Sequence, residues 1–334
     1  MLSLSALPGC YYSHLAGGQA RVLWARRAVD DVLEDASTDA ALRDQLRLVE
    51  RARVFARDLG LEVDGQYTSY VPWPSDRIIT SLIVTEPGRI EARPFDFPIV
   101  GEVPYKGFFD QARAEAEAAE HARKGRDTCL LAVPAYSTLG FFDDPLTDPM
   151  LRRGDGPLVE TVLHELVHAT VYIPSEPGLS EGAANFFGEE ASVRFFAADP
   201  EQAARRRAEI DDDRLVARAL MAVRDRIASL YANETDPIAR RQRRSEIEDE
   251  ARAEMAGLPL TTRDPALLAP RLRLGDACLA VRGTYVADGE RHEALLRQLG
   301  GDLTAYLDRL RAAAEAEDPR AEFFGLGSEP SDAR

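Results

Sequence analysis

His164-Glu165-Leu166-Val167-His168 gathers metal-ligand and acid–base residue types into five consecutive positions. On an α-helix, four positions turn about 400° and rise about 6 Å, so both imidazoles leave one face and can grip one ion. Glu165 sits beside that face, where its carboxylate reaches a water on the ion rather than the ion itself. Zinc lowers the pKa of such a water to about 7. Glu165 is then the expected general base, taking the proton during attack and passing it to a leaving amine. A catalytic zinc also needs a third protein ligand and an open position. Glu181, in Leu179-Ser-Glu-Gly-Ala-Ala184, is placed to supply it after a helix–turn–helix return. The expected set is His164, His168 and Glu181 around one ion. Its chemistry favours Zn2+, while spacing alone leaves iron, cobalt or manganese open.

Two helices must position these groups, expected over 157–172 and 180–198. Asp155-Gly-Pro157 precedes the first, and proline suits a first helical turn. Leu158, Val162, Leu166 and Ala169 form its apolar stripe, and Pro174 stops it. Gly182, Ala183, Ala184 and Gly188 are small enough to let the second helix approach closely. Upstream, 19–60 reads as helical, with Gly60 as a C-cap. Residues 66–100 hold β-rich runs at Tyr67–Val71, Ile78–Val84 and Ile90–Arg93, the last two joined as a hairpin at Pro87-Gly88. An Ala/Glu-rich helix over 107–124 and a strand over Thr128–Val133 follow. Residues 200–257 read as a charged, solvated helical hairpin interrupted near Asn233–Pro237, and 274–316 as further helix. The fold class is α+β, mainly α, with a small, mostly antiparallel sheet. The expected organisation is an N-terminal segment over 1–18, one metallopeptidase domain over 19–316 with its metal-binding core at about 128–198, and a frayed polar tail over 317–334.

Composition limits the functions open to the chain. It has 334 residues, 45% of them apolar, a net charge of −16 and a pI of about 4.9. Nucleic-acid binders need a basic face to displace phosphate counterions, and so does a polybasic membrane-surface protein; neither suits this balance. No run of 18 apolar residues offers a spanning helix. The three cysteines, Cys10, Cys129 and Cys278, make no disulfide framework and no CxxC zinc site, so Cys129 and Cys278 read as small core residues. His14, His121 and His292 read as surface residues. Leu7-Pro-Gly-Cys10 is similar to the end of a lipoprotein signal, which makes Cys10 a candidate lipidation site, although a basic start and a long apolar run are lacking.

HExxH followed by a helix bearing Glu-Gly-x-Ala resembles the gluzincin metallopeptidases. The whole chain resembles a bacterial family of predicted aminopeptidases more closely. The matching blocks are Gly9–Tyr12, Gly18–Leu23, Tyr136–Pro145, His164–His168 and Glu181–Ala184. The resemblance implies a zincin-like core, a zinc-dependent peptidase acting on peptide substrates, and often a lipid-anchored or periplasmic place in the cell envelope. A cytoplasmic location is the alternative. It assigns His164, His168 and Glu181 as ligands and Glu165 as base. Ser180 stands where asparagine is usual before the glutamate, and serine caps a helix as well.

Supporting roles follow from the same chemistry. Thr128–Val133 is the candidate edge strand on which a substrate backbone pairs. Tyr136 and Tyr285 are candidate oxyanion donors. Glu189, Glu190, Asp143 and Asp144 are candidates to hold a substrate ammonium. Two other readings stand beside the aminopeptidase: a zinc endopeptidase, and an envelope-anchored scaffold or binding protein with an inert metal site. A di-iron bundle needs a second Glu-x-x-His, which the sequence lacks.

Overall fold

The computed structural model describes residues 9–97, 101–135, 143–281 and 288–325. The chain opens with α1 (Gly9–Trp24), β1 (Arg27–Ala28), α2 (Val29–Glu34) and α3 (Ala40–Asp58). Short strands follow: β2 (Ser69–Val71), β3 (Ile79–Thr85), β4 (Phe95–Phe97), β5 (Gly101–Val103) and β6 (Lys106–Phe108). Then come α4 (Gln111–Arg123), β7 (Asp127–Val133), β8 (Leu146–Thr147), α5 (Asp148–Leu151), α6 (Asp155–Thr170) and α7 (Pro177–Phe195). A long antiparallel pair, α8 (Pro200–Asn233) and α9 (Pro237–Ala256), precedes α10 (Pro265–Leu268) and α11 (Asp276–Ala280). The C-terminal helices are α12 (Gly289–Gln298), α13 (Leu303–Ala314) and α14 (Pro319–Phe324). The protein is thus mainly helical, with small, largely antiparallel sheets.

α6 forms the centre of the main core. Leu158, Val159, Val162, Leu163, Leu166 and Val167 are all fully buried, a helix apolar on more than one side and therefore enclosed by neighbours. It packs between α3 and α7, and Tyr306, Leu307 and Leu310 of α13 close the same core. Gly60, at φ +88°, ends α3 in the left-handed conformation that glycine adopts without strain.

Two small sheets flank this core. One runs β1-β2-β8, with β2 and β8 parallel. The other runs β6-β3-β7, both pairs antiparallel, with Ser81 opposite Gly107 and Leu131. β7 therefore lies at a sheet edge. The hairpin expected after Pro87-Gly88 is reduced to a single bridge, Thr85 to Ala92; the neighbouring β4 pairs instead with β5.

Several expectations are corrected by the packing. Cys129 and Cys278 are buried as expected, but they form a disulfide joining β7 to α11. The two residues are 149 positions apart, and only tertiary folding brings their Cα atoms to 5.1 Å. His292 is buried, not a surface residue: its ring stacks on Phe186 and meets Phe323 and Phe324. His121 is buried against Phe95. The tail contributes Phe323, fully buried beside Tyr306, because two aromatic residues outweigh the polar composition around them. The α8–α9 hairpin carries surface ion pairs such as Arg226–Glu254, but it also buries Leu220, Val223, Ile227, Ile247 and Met255 in a second core with Ile90 and Leu274.

Candidate metal centre

The packing of α6 on α7 brings the donors together. Gly188 marks the closest approach: a Cβ there would stand 3.0 Å from the Glu160 carbonyl oxygen and 3.3 Å from His164 Cβ. Glu181 lies two turns earlier on α7 and so faces the same way. Ser180 is not the helix cap, since α7 starts at Pro177. Its buried hydroxyl instead reaches back and accepts the Ile173 N–H at 2.9 Å, fixing the turn that returns Glu181 to the histidines.

His164 Nε2 and His168 Nε2 are 3.1 Å apart. Glu181 Oε1 is 3.4 Å from His168 Nε2, and Oε2 is 3.7 Å from His164 Nε2. All three donor atoms fall within 4.8 Å of one another. Asn185, one turn beyond Glu181, hydrogen-bonds the His164 side chain. The Tyr172 ring meets His168 edge-on at 5.7 Å.

The electrostatics fit a cation. Burial, and then the neighbouring His168, push the His164 pKa down to about 4, so its ring is neutral at pH 7. For His168, burial opposes charge but Glu181 outweighs it and raises the pKa. Burial likewise opposes ionised Glu181, and the two histidines prevail and lower its pKa. Two facing ring nitrogens can share at most one proton, whereas a divalent cation satisfies both together with the carboxylate. His168 Nδ1 is buried without a hydrogen-bond partner.

Glu165 projects its field beside this set, onto His168, Tyr67 and Tyr105. Tyr67 is buried and holds φ +60°, a backbone conformation costly for a residue with a side chain and concentrated at functional sites. The segment before β8 enforces it: Tyr67 N–H donates to the Asp144 carbonyl oxygen at 2.9 Å, and Gln66 Oε1 accepts from Asp144 N–H at 2.8 Å. Tyr105, between β5 and β6, is 48% exposed; burial of its hydroxyl and then Glu181 raise its pKa. Tyr172 is raised by burial and then by Glu181. These phenols stay protonated at neutral pH and are hydrogen-bond donors.

Residues 10–323 match the protein family described as putative aminopeptidase. The chain belongs to the putative aminopeptidase family. The matched span includes His164, Glu165, His168 and Glu181, together with Tyr67, Tyr105 and Tyr172. No curated protein and no solved structure matches the chain.

The other expected residues of this family member divide sharply. Glu189 and Glu190 are committed to arginines: Glu189 to Arg214, and Glu190 to both Arg207 and Arg214. The Asp143 carboxylate lies against Gly65, where a Cβ would collide with it. Asp144 is buried and clasped by Gln66 and Tyr67. β7 is an edge strand, and its Leu130 carbonyl oxygen accepts from Arg273 at 2.7 Å. Tyr136 and Tyr285 lie outside the described residues. Cys10 is the second residue of α1, which runs across position 18 without a break. Asn185 went unread in the sequence although it stands four positions after Glu181 on α7, the spacing that shares a helix face; Tyr172 lies just past the end of α6. Tyr67 and Tyr105 carried no such signal.

Proposed function

We propose that this member of the putative aminopeptidase family is a zinc-dependent aminopeptidase of gluzincin type, with a zincin-like core and a single ion held by His164, His168 and Glu181. The convergence of three donor atoms from α6 and α7 within 4.8 Å carries the reading. A zinc ion bound there would supply a Lewis acid for the substrate carbonyl and make a bound water acidic near neutral pH. Glu165 is the general base: its carboxylate takes the proton of the attacking water, holds it, and releases it to the leaving nitrogen. Asn185 fixes the His164 ring, as partners behind metal-binding histidines do. Tyr105 joins Tyr136 and Tyr285 as a candidate donor to the developing oxyanion. The buried Cys129–Cys278 disulfide suits an oxidising compartment, which supports a cell-envelope location.

Variants test the roles separately. Glu165→Gln is expected to bind zinc like the parent protein while hydrolysis falls by about 10²- to 10⁴-fold. His164→Ala is expected to lose both. Undiminished hydrolysis by Glu165→Gln contradicts the mechanism; bound zinc with no chelator-sensitive cleavage of any peptide favours the inert scaffold. Paired substrates with free and acetylated N-termini separate the peptidase classes, and equal cleavage of the pair assigns an endopeptidase.

A further inference from the structure

α1 is seated through one face. Tyr11 donates its hydroxyl to the Gly107 carbonyl oxygen at 2.9 Å, and its ring meets Phe97 and Phe108. Val22 is fully buried with Val71, Trp73 and Ile78. Gly18 admits the Phe109 ring, which any Cβ at that position would overlap.

The other face has a different character. Tyr12, Ala16 and Leu23 lie along one line of the helix, with Ser13, Gly17 and Trp24 beside it. All six are exposed, Trp24 at 87%, and none is an acidic or basic residue. Two cations stand at the Trp24 end. Arg21 is exposed and lies over the Trp73 ring at 4.4 Å, while Arg26 is half-buried and two of its guanidinium nitrogens are buried without a partner. Neither meets a carboxylate among the described residues, whereas Arg27 is held by Asp35. Residues 1–29 contain three arginines and no acidic residue, in a chain of net charge −16.

We propose that this face of α1 rests on an anionic lipid bilayer, with Tyr12, Leu23 and Trp24 in the headgroup layer and Arg21 against a lipid phosphate. Single exposed apolar residues are ordinary, but a continuous uncharged helix face ending in an exposed tryptophan and an exposed arginine matches the interfacial pattern. Arg21 disfavours a second copy, because a symmetric pairing through this face would bring like charges together. α1 is too short and insufficiently apolar to cross the membrane; it lies on it. This contact does not depend on the peptidase reading or on lipid at Cys10.

The test uses the full chain with Cys10→Ser, mixed with vesicles of phosphatidylcholine alone or of phosphatidylcholine with phosphatidylglycerol. Trp73 is 4% exposed and the chain has two tryptophans, so a change in emission reports Trp24. Phosphatidylglycerol vesicles are expected to shift the emission to the blue, shield it from iodide and co-sediment the protein, less so as salt rises. The exposed-site variants Trp24→Ser and Arg21→Gln are each expected to weaken binding by about fivefold to tenfold. Absence of co-sedimentation, or equal binding by Trp24→Ser, overturns the proposal. A concentration-dependent blue shift without lipid also overturns it and assigns the face to a second copy.

Discussion

His292 shows how a residue's neighbours decide its chemistry. Its Nδ1 shares a hydrogen bond of 2.6 Å with the Tyr306 hydroxyl, inside a wall formed by Phe186, Phe323 and Phe324. Burial lowers its pKa from the ordinary 6.5 to about 4; Asp288 opposes this, and Arg291, Arg320 and Arg214 reinforce it. The folded state therefore resists a proton that the unfolded chain accepts. Its contribution to stability is complete above pH 6.5 and is lost as pH falls toward 4, up to about 3 kcal/mol for that difference. Urea unfolding at pH 7 and near pH 4 checks this. His292→Asn, which keeps an acceptor but cannot ionise, is expected to lose less stability on acidification than the parent; parallel losses contradict the assignment. Nothing local to His292 marks this site. The wall comes from two separate stretches, α7 and α14, and a lone histidine in a charged helix looks solvent-facing until they converge. The HExxH histidines differ: their spacing alone placed both rings on one helix face.

At the scale of elements, the contact between α6 and α7 decides the site. Small residues on α7 were legible as permission for close packing, and Gly188 is where that permission is used. Gly188→Ala is expected to force the helices apart, cost about 1–3 kcal/mol and weaken metal binding, because the new methyl would press on the Glu160 carbonyl and His164. Thermal unfolding with and without metal measures both effects; an unchanged midpoint and affinity would show that the helices do not meet there. A buried cation stabilises the same pair from behind. Arg206 of α8 binds Glu160 of α6 and donates to Ser192 of α7 at 3.1 Å. The charge run containing Arg206 reads as a solvated face in sequence, and nothing local marks this one arginine as buried. The two ligand helices start and stop near their punctuation because proline and glycine act locally. The early strands were harder: β4 and β5 each have three residues and pair with each other, a choice made by tertiary context.

The whole molecule joins a helical core with small sheets, and the Cys129–Cys278 disulfide ties the β6-β3-β7 sheet to α11. Pairing across 149 residues has no local signature, so cysteine number and spacing pointed the other way. The helical class was readable because 3.6-residue periodicity persists along long segments. The packing of the C-terminal helices was not, because Phe186, Tyr306 and Phe323 meet from separate parts of the chain. Every part of this architecture that touches α6 and α7 serves the account by holding His164, His168 and Glu181 around one point. Metal content of the purified full chain by elemental analysis, paired with hydrolysis of aminoacyl reporter substrates before and after chelation, tests that claim most directly. One zinc per chain is expected, with loss of metal and activity together on chelation and recovery of both when zinc is restored. A chain that binds no divalent metal, or hydrolyses these substrates equally well after complete removal of metal, contradicts it.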